Sequence, residues 1–179
     1  MSPPSPQTGP VTLVLGGARS GKSAHAERLA LGAGGEPVYI ATAEAHDDEM
    51  AERIARHRAD RKGRGWTTVE EPLDLAGAIG REARPGRSLL VDCLTLWLSN
   101  IMLAGRDPSD EQAALVTALG EVAAPVVLVS NEVGLGLVPE TPLGRAFRDA
   151  QGRLNQAIAA RADRVVFVAA GLPLTLKSA

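Results

Sequence analysis

Val11-Thr12-Leu13-Val14-Leu15-Gly16-Gly17-Ala18-Arg19-Ser20-Gly21-Lys22-Ser23 reads as a buried strand running directly into a glycine-rich loop. Val11 to Leu15 is a nearly continuous apolar run, the composition of a strand covered on both faces. Gly16 and Gly21 then frame the pattern G-x-x-x-x-G-K-[ST], and the residues that follow favour helix. In that context successive backbone N–H groups turn inward on phosphate oxygens, the Lys22 ammonium meets the β- and γ-phosphates, and the Ser23 hydroxyl can bind Mg²⁺. Gly16, Gly17, Ala18, Arg19, Ser20, Gly21, Lys22 and Ser23 are therefore candidate contacts to a nucleoside triphosphate. A dinucleotide fingerprint does not fit, because Gly16, Gly17 and Gly21 lack its spacing and Lys22 and Ser23 have no role in it.

Working outward, Ser23 to Ala30 predicts a helix and Val38 to Ala41 a short buried strand, which completes a β-loop-α-β unit. Asp47-Asp48-Glu49 gives an acidic first turn to a basic helix, Met50 to Arg61, the charge order that suits a helix dipole. Trp66 to Glu70 predicts a strand, Leu73 to Glu82 a helix, and Ser88 to Asp92 an apolar strand ending in a carboxylate. Leu94 to Leu103 follows as an apolar helix, suited either to an interface or to ordinary core packing. A polar loop at Asp107 to Asp110 leads to a helix over Glu111 to Val122, a buried strand over Pro125 to Ser130, and a Gly/Pro-interrupted loop from Asn131 to Thr141. Gly144 to Ala162 predicts a long amphipathic helix, Arg164 to Ala169 a strand, and Leu172 to Leu176 a terminal one. Alternating strands and helices predict an α/β fold, P-loop NTPase-like, with a mostly parallel sheet flanked by helices on both faces. Residues 11–179 read as a single nucleotide-binding catalytic domain after a flexible leader, 1–10.

Composition narrows the partners. Hydrophobic residues make up 45% of the chain but aromatics only 3%, so the core rests on aliphatic side chains, with Trp66 and Trp97 as rare large pieces. A net charge of −2, with both signs interspersed, gives no electrostatic case for nucleic acid or an anionic membrane. The single cysteine, Cys93, excludes an internal disulfide, and no apolar run is long enough to span a bilayer. The expected setting is the cytoplasm and the expected ligands are small molecules.

Asp92 stands where a Walker-B carboxylate belongs, at the end of a strand able to lie beside the loop strand, where it would hold Mg²⁺; the plainer reading is a helix N-cap. His25 reads as packing or solvated and His46 as a loop or capping residue. His57 differs, because Arg53, Arg56, Arg58 and Arg61 lie within a turn on either side of it. Clustered guanidinium groups suit polyphosphate, and nearby positive charge keeps an imidazole neutral and nucleophilic. Met50, Ile54 and His57 also share one helical stripe, so from spacing alone a core-flanking histidine with a solvated arginine face stands equally well.

The chain resembles the bifunctional adenosylcobinamide kinase and adenosylcobinamide-phosphate guanylyltransferase family of cobalamin biosynthesis. The likeness is carried by Gly16 to Ser23, Tyr39-Ile40-Ala41-Thr42-Ala43, Asp47-Asp48-Glu49-Met50 leading to His57, Asn131-Glu132-Val133-Gly134 through Glu140, and Phe147-Arg148-Asp149 with Gly152 to Gln156. It implies phosphorylation of adenosylcobinamide with ATP or GTP, then transfer of GMP from GTP through a guanylylated histidine, giving adenosylcobinamide-GDP and pyrophosphate. By motif position that histidine is His57. The implied nucleotide contacts are the loop, Thr42, Ala43, Glu44, Arg58, Ala59, Asp60, Arg61, Glu70 and Asp92; Mg²⁺ would sit on Ser23 and Asp92. The resemblance also implies a homotrimer. Two departures stand out: Arg56 precedes His57 where some relatives carry a second histidine, and Asp92 occupies a position where some relatives have glutamate.

Two other readings share the loop. A small-metabolite kinase would lack the transferase step. A regulatory GTPase would need a guanine-reading Asn-Lys-x-Asp signature, which does not occur, and Asp149-Ala150-Gln151-Gly152 matches its D-x-x-G element only inside a predicted helix.

Overall fold

Side-chain alternation along the strands assigns the two faces of the sheet. In β1 (Val11–Gly16), Val11, Leu13 and Leu15 enter one apolar cluster and Val14 the other. The same division recurs in β5 (Val126–Asn131), where Val126 and Leu128 oppose Val127 and Val129. It recurs again in β2 (Glu36–Ala41), where Val38 and Ile40 oppose Tyr39. Period-two alternation with both sets apolar is what a sheet covered on both sides requires.

The structure is a computed structural model and describes residues 8–45, 48–61 and 63–178; the side chains of Glu49, Met50, Arg53, His57 and Asp60 lie outside the described ones. The remaining strands are β3 (Thr67–Glu70), β4 (Arg87–Asp92), β6 (Arg164–Ala169) and β7 (Leu172–Lys177). They form one seven-stranded sheet in the order β3-β2-β4-β5-β1-β6-β7. Pairing is parallel throughout except for β6 with β7, which is antiparallel. The helices are α1 (Lys22–Gly32), α2 (Asp48–Arg61), α3 (Leu75–Glu82), α4 (Leu94–Leu103), α5 (Pro108–Gly120) and α6 (Pro142–Arg161). Ala26 and Ala30 of α1 pack on one face of the sheet, while α3, α4, α5 and α6 supply the cluster on the other. This is the α/β, P-loop-like architecture predicted from the alternation.

Two expectations change. The strand that ends at Asp92 does not adjoin the loop strand, because β5 lies between β4 and β1. Helix α5 begins at Pro108 rather than Glu111: Asp107 accepts a hydrogen bond from Ser109 N–H at 2.7 Å, and Pro108 occupies a first-turn position where its missing N–H costs nothing. Of the two readings open for it, helix α4 takes core packing, since Leu94, Trp97, Leu98 and Ile101 are all buried and Leu103 alone among its large apolar residues is well exposed. Just ahead of β1, Gly9 N–H donates to Val122 O at 2.7 Å, and Pro10 O accepts from Val126 N–H at 2.9 Å.

Candidate active site

Six parallel strands point their carboxyl ends the same way, and residues at or just beyond the ends of β1, β2, β4 and β5 meet around a cavity of about 680 Å³. Its wall includes Ala18, Arg19, Lys22 and Ser23 from the loop and start of α1, Tyr39 from within β2, Asp92 from the end of β4, and Ile54, Arg56 and Arg61 from α2. Such a volume suits a nucleotide-sized ligand.

The loop is braced from several sides. Ser20 N–H donates to Gly17 O at 3.3 Å, Gly16 O accepts from Glu132 N–H at 3.1 Å, and Ser20 O accepts from Gly171 N–H at 2.8 Å. Gly16 must lack a side chain, since a Cβ there would lie 2.5 Å from both Val168 O and Ser20 Oγ. Gly21 adopts φ 92°, open to glycine, and caps α1 so that its first N–H groups face the loop. Lys22 Nζ donates to Gly17 O at 3.0 Å, which holds the ammonium over the loop.

At the β4 tip, Tyr39 donates its hydroxyl proton to Asp92 Oδ2 at 3.0 Å. Burial, reinforced by the Asp92 charge, pushes the Tyr39 phenol well above its ordinary pKa, so it remains a donor. Asp92 is not the N-cap of α4; that position belongs to Cys93, which makes no side-chain capping bond. Cys93 is buried, and desolvation followed by the Asp92 charge pushes its thiol up to about 11, which leaves it protonated and unreactive. Asn131, at the β5 tip, donates its N–H to Thr95 Oγ1 at 2.9 Å, and its carbonyl accepts from Asn155 Nδ2 at 3.1 Å. Ser130, Gln151 and Asn155 form a buried hydrogen-bonded group behind it.

Helix α2 closes the cavity's outer side. Arg61 stacks on Tyr39, its Cζ 3.6 Å from the ring centroid, and Arg58 pairs with Glu70. Trp66 packs on Tyr39 in a T-shaped arrangement, with centroids 5.9 Å apart and ring planes at 89°.

The family model described as cobinamide kinase / cobinamide phosphate guanyltransferase matches residues 12–176. The bifunctional adenosylcobalamin biosynthesis protein CobP of Pseudomonas aeruginosa is 55% identical over 168 residues, covering 92% of this chain and 96% of that protein. The bifunctional adenosylcobalamin biosynthesis proteins CobU of Escherichia coli and of Salmonella typhimurium are each 42% identical over 180 aligned positions, covering 92% of this chain and 98% of those proteins. The chain belongs to the cobinamide kinase / cobinamide phosphate guanyltransferase family. It is an enzyme of cobalamin biosynthesis that uses nucleotides, with kinase and guanylyltransferase activities.

Within this family member, Ala18, Arg19, Lys22 and Ser23 of the loop line the cavity together with Ala43, Arg61, Glu70 and Asp92, and Glu44 is half-buried just beyond Ala43. Thr42 does something else. Its buried hydroxyl donates to Cys93 O at 2.7 Å and accepts from Cys93 N–H at 2.8 Å, so it fastens the β2 tip to the β4 tip, and it is not part of the cavity wall. Ala59 is exposed, and Asp60 and His57 belong to α2 with side chains outside the described ones. His46 lies outside the described residues. His25 sits on α1 beside Arg28, and burial followed by the Arg28 and Arg164 charges lowers its pKa. Asp149 to Gly152 lie inside α6, where no GTPase switch element could form. Sequence reasoning passed over Tyr39, Ile54 and Asn131 as wall residues, while Arg56 of the arginine cluster does reach the wall. Tyr39 had one available signal, a rare aromatic set among the aliphatic residues Val38, Ile40 and Ala41.

Proposed function

We propose that this one cavity serves both reactions. The observation that carries the reading is that Ile54, Arg56 and Arg61 of α2 share a wall with Lys22 and Ser23. In the first step the cobinamide hydroxyl oxygen bonds to the γ-phosphorus of ATP or GTP, the bond to the β-phosphate oxygen breaks, and the hydroxyl proton leaves. Loop N–H groups and Lys22 receive the charge on the phosphates.

In the second step a His57 ring nitrogen bonds to the α-phosphorus of GTP and pyrophosphate departs. The phosphate oxygen of cobinamide phosphate then displaces the imidazole, giving the GDP-linked product. A covalent histidine divides one displacement into two, and the acceptor, already an anion, needs positioning more than a strong base. The arginines of α2, with Arg61 already at the wall, support this assignment by supplying charge where the triphosphate must lie.

Ser23 and Asp92 are the residues that would hold Mg²⁺. They line the same cavity, and no group of three or more His, Cys, Asp or Glu forms a cage among the described residues. A hard cation that arrives with phosphates needs only one or two protein oxygens, so the donor set fits. When bound, Mg²⁺ neutralises phosphate charge.

The proposal extends to a homotrimer, supported by the apolar row Leu172, Leu174 and Leu176 exposed along the edge strand β7. It extends also to the cytoplasm, where nucleoside triphosphates are supplied; no described helix is long and apolar enough to cross a membrane. The test is incubation with α-labelled GTP and Mg²⁺. An acid-labile, alkali-stable GMP adduct is expected on the wild type and absent from His57→Ala, while Lys22→Ala loses cobinamide phosphorylation by about 100-fold or more with its unfolding midpoint retained. Label persisting on His57→Ala overturns the nucleophile assignment, and full kinase turnover in Lys22→Ala overturns the loop's role.

A further inference from the structure

Tyr39 makes two contacts that belong to different halves of the cavity. Its hydroxyl holds one oxygen of Asp92 at the β4 tip, and its ring face carries the Arg61 guanidinium from the last turn of α2. Arg61 Nε is buried and has no hydrogen-bond partner among the described residues, so its contact with the ring is not incidental to some stronger pairing of that nitrogen. Trp66, edge-on to the same ring, fixes its plane. We propose that Tyr39 is a positioning residue for both reactions: the hydroxyl orients the Asp92 carboxylate for the phosphate-bound cation, and the ring docks the carboxyl end of α2, and with it the segment from His57 to Arg61, against the nucleotide cavity.

The physical case rests on geometry and separability. A phenol that donates to a carboxylate leaves the second carboxylate oxygen facing away from the ring and limits its rotation. A guanidinium over an aromatic face is held in position but not in register by hydrogen bonds, so it keeps its N–H groups for phosphate oxygens. Tyr39→Phe removes the first contact and keeps the second. Tyr39→Leu removes both.

The inference rests on the assignment of both reactions to this cavity. Both variants and the wild type are compared in three measurements: the Mg²⁺ concentration for half-maximal cobinamide phosphorylation, the equilibrium affinity for GTP with and without Mg²⁺ by calorimetry, and the single-turnover rate of GMP-adduct formation. For Tyr39→Phe, half-saturation by Mg²⁺ is expected to rise about tenfold, the scale of one charge-assisted hydrogen bond, with Mg²⁺-dependent GTP affinity falling in step. For Tyr39→Leu, adduct formation is expected to be at least about fivefold slower again than in Tyr39→Phe. Urea unfolding midpoints establish that each variant is folded; if Tyr39→Leu is not, Tyr39→Trp, which keeps a ring and lacks the phenol, takes its place and is expected to match Tyr39→Phe.

Wild-type Mg²⁺ dependence and GTP affinity in Tyr39→Phe would overturn the hydroxyl's role. Equal adduct rates in folded Tyr39→Leu and Tyr39→Phe, or a Tyr39→Trp rate well below that of Tyr39→Phe, would overturn the ring's. Failure of the wild type itself to form an adduct would instead break the His57 assignment, and the Mg²⁺ arm would still decide the hydroxyl's role.

Discussion

The phosphate loop and helix α2 face one cavity and are held there by opposite means. The loop lies between strands: its carbonyls are tied to Glu132 and Gly171 N–H groups, and at Gly16 the neighbouring backbone leaves no room for a side chain. Helix α2 buries none of its described side chains, and its contacts to the body include the Arg58–Glu70 pair and the Arg61–Tyr39 stack. The difference suits a site in which one wall must not move when phosphate binds and the opposite wall need only be brought near. Rigid backbone N–H groups stabilise charge without reorganising, whereas a polar helix on a few contacts has a low cost of displacement.

The strongest way to break the comparison is to attack the braced wall. Gly16→Val places a β-branched side chain 2.5 Å or less from Val168 O, a sheet carbonyl that cannot swing aside. Stability is expected to fall by about 3 kcal/mol or more, with loss of nucleotide binding, measured by urea denaturation and GTP calorimetry. A variant as stable as the wild type would mean that the loop is not wedged between strands at all.

A smaller effect should separate the two walls without any mutation. A helix of 14 residues with no buried described side chain is close to the length at which isolated helices are marginal, while α1 is anchored by Ala26 and Ala30 in the sheet cluster. Amide hydrogens in the middle of α2 are therefore expected to exchange roughly tenfold or more faster than those of α1. Equal protection would show that α2 is fastened by more than the contacts described.

Much of this contrast could be read from the chain. Val11 to Ser23 specified strand, turn and helix in order, because strand burial, glycine freedom and phosphate chemistry all constrain the same short segment. Asp92 was legible as a carboxylate at a strand end, but the intervening β5 was not, since parallel strand order depends on long-range packing that no local pattern encodes. Thr42 looked like a ligand contact for the same reason: its true partner, the Cys93 backbone, is 51 residues away. Tyr39 was missed because a buried aromatic in a strand satisfies the hydrophobic pattern and conceals the polar work of its hydroxyl.

The gentlest probe is the Arg58–Glu70 pair. Both side chains are about half exposed, at 54% each, so water competes for each charge and ordering two long side chains offsets part of the attraction. Glu70→Gln is expected to lower stability by less than about 1 kcal/mol, and the difference should shrink further in 1 M salt, where the screening length falls to roughly 3 Å. Exchange within α2 should quicken in the same variant while α1 is unaffected, because the pair ties α2 to β3 and touches nothing in the loop. A loss of about 3 kcal/mol, or one insensitive to salt, would mark the pair as a buried fastening and would make α2 as fixed a wall as the loop it faces.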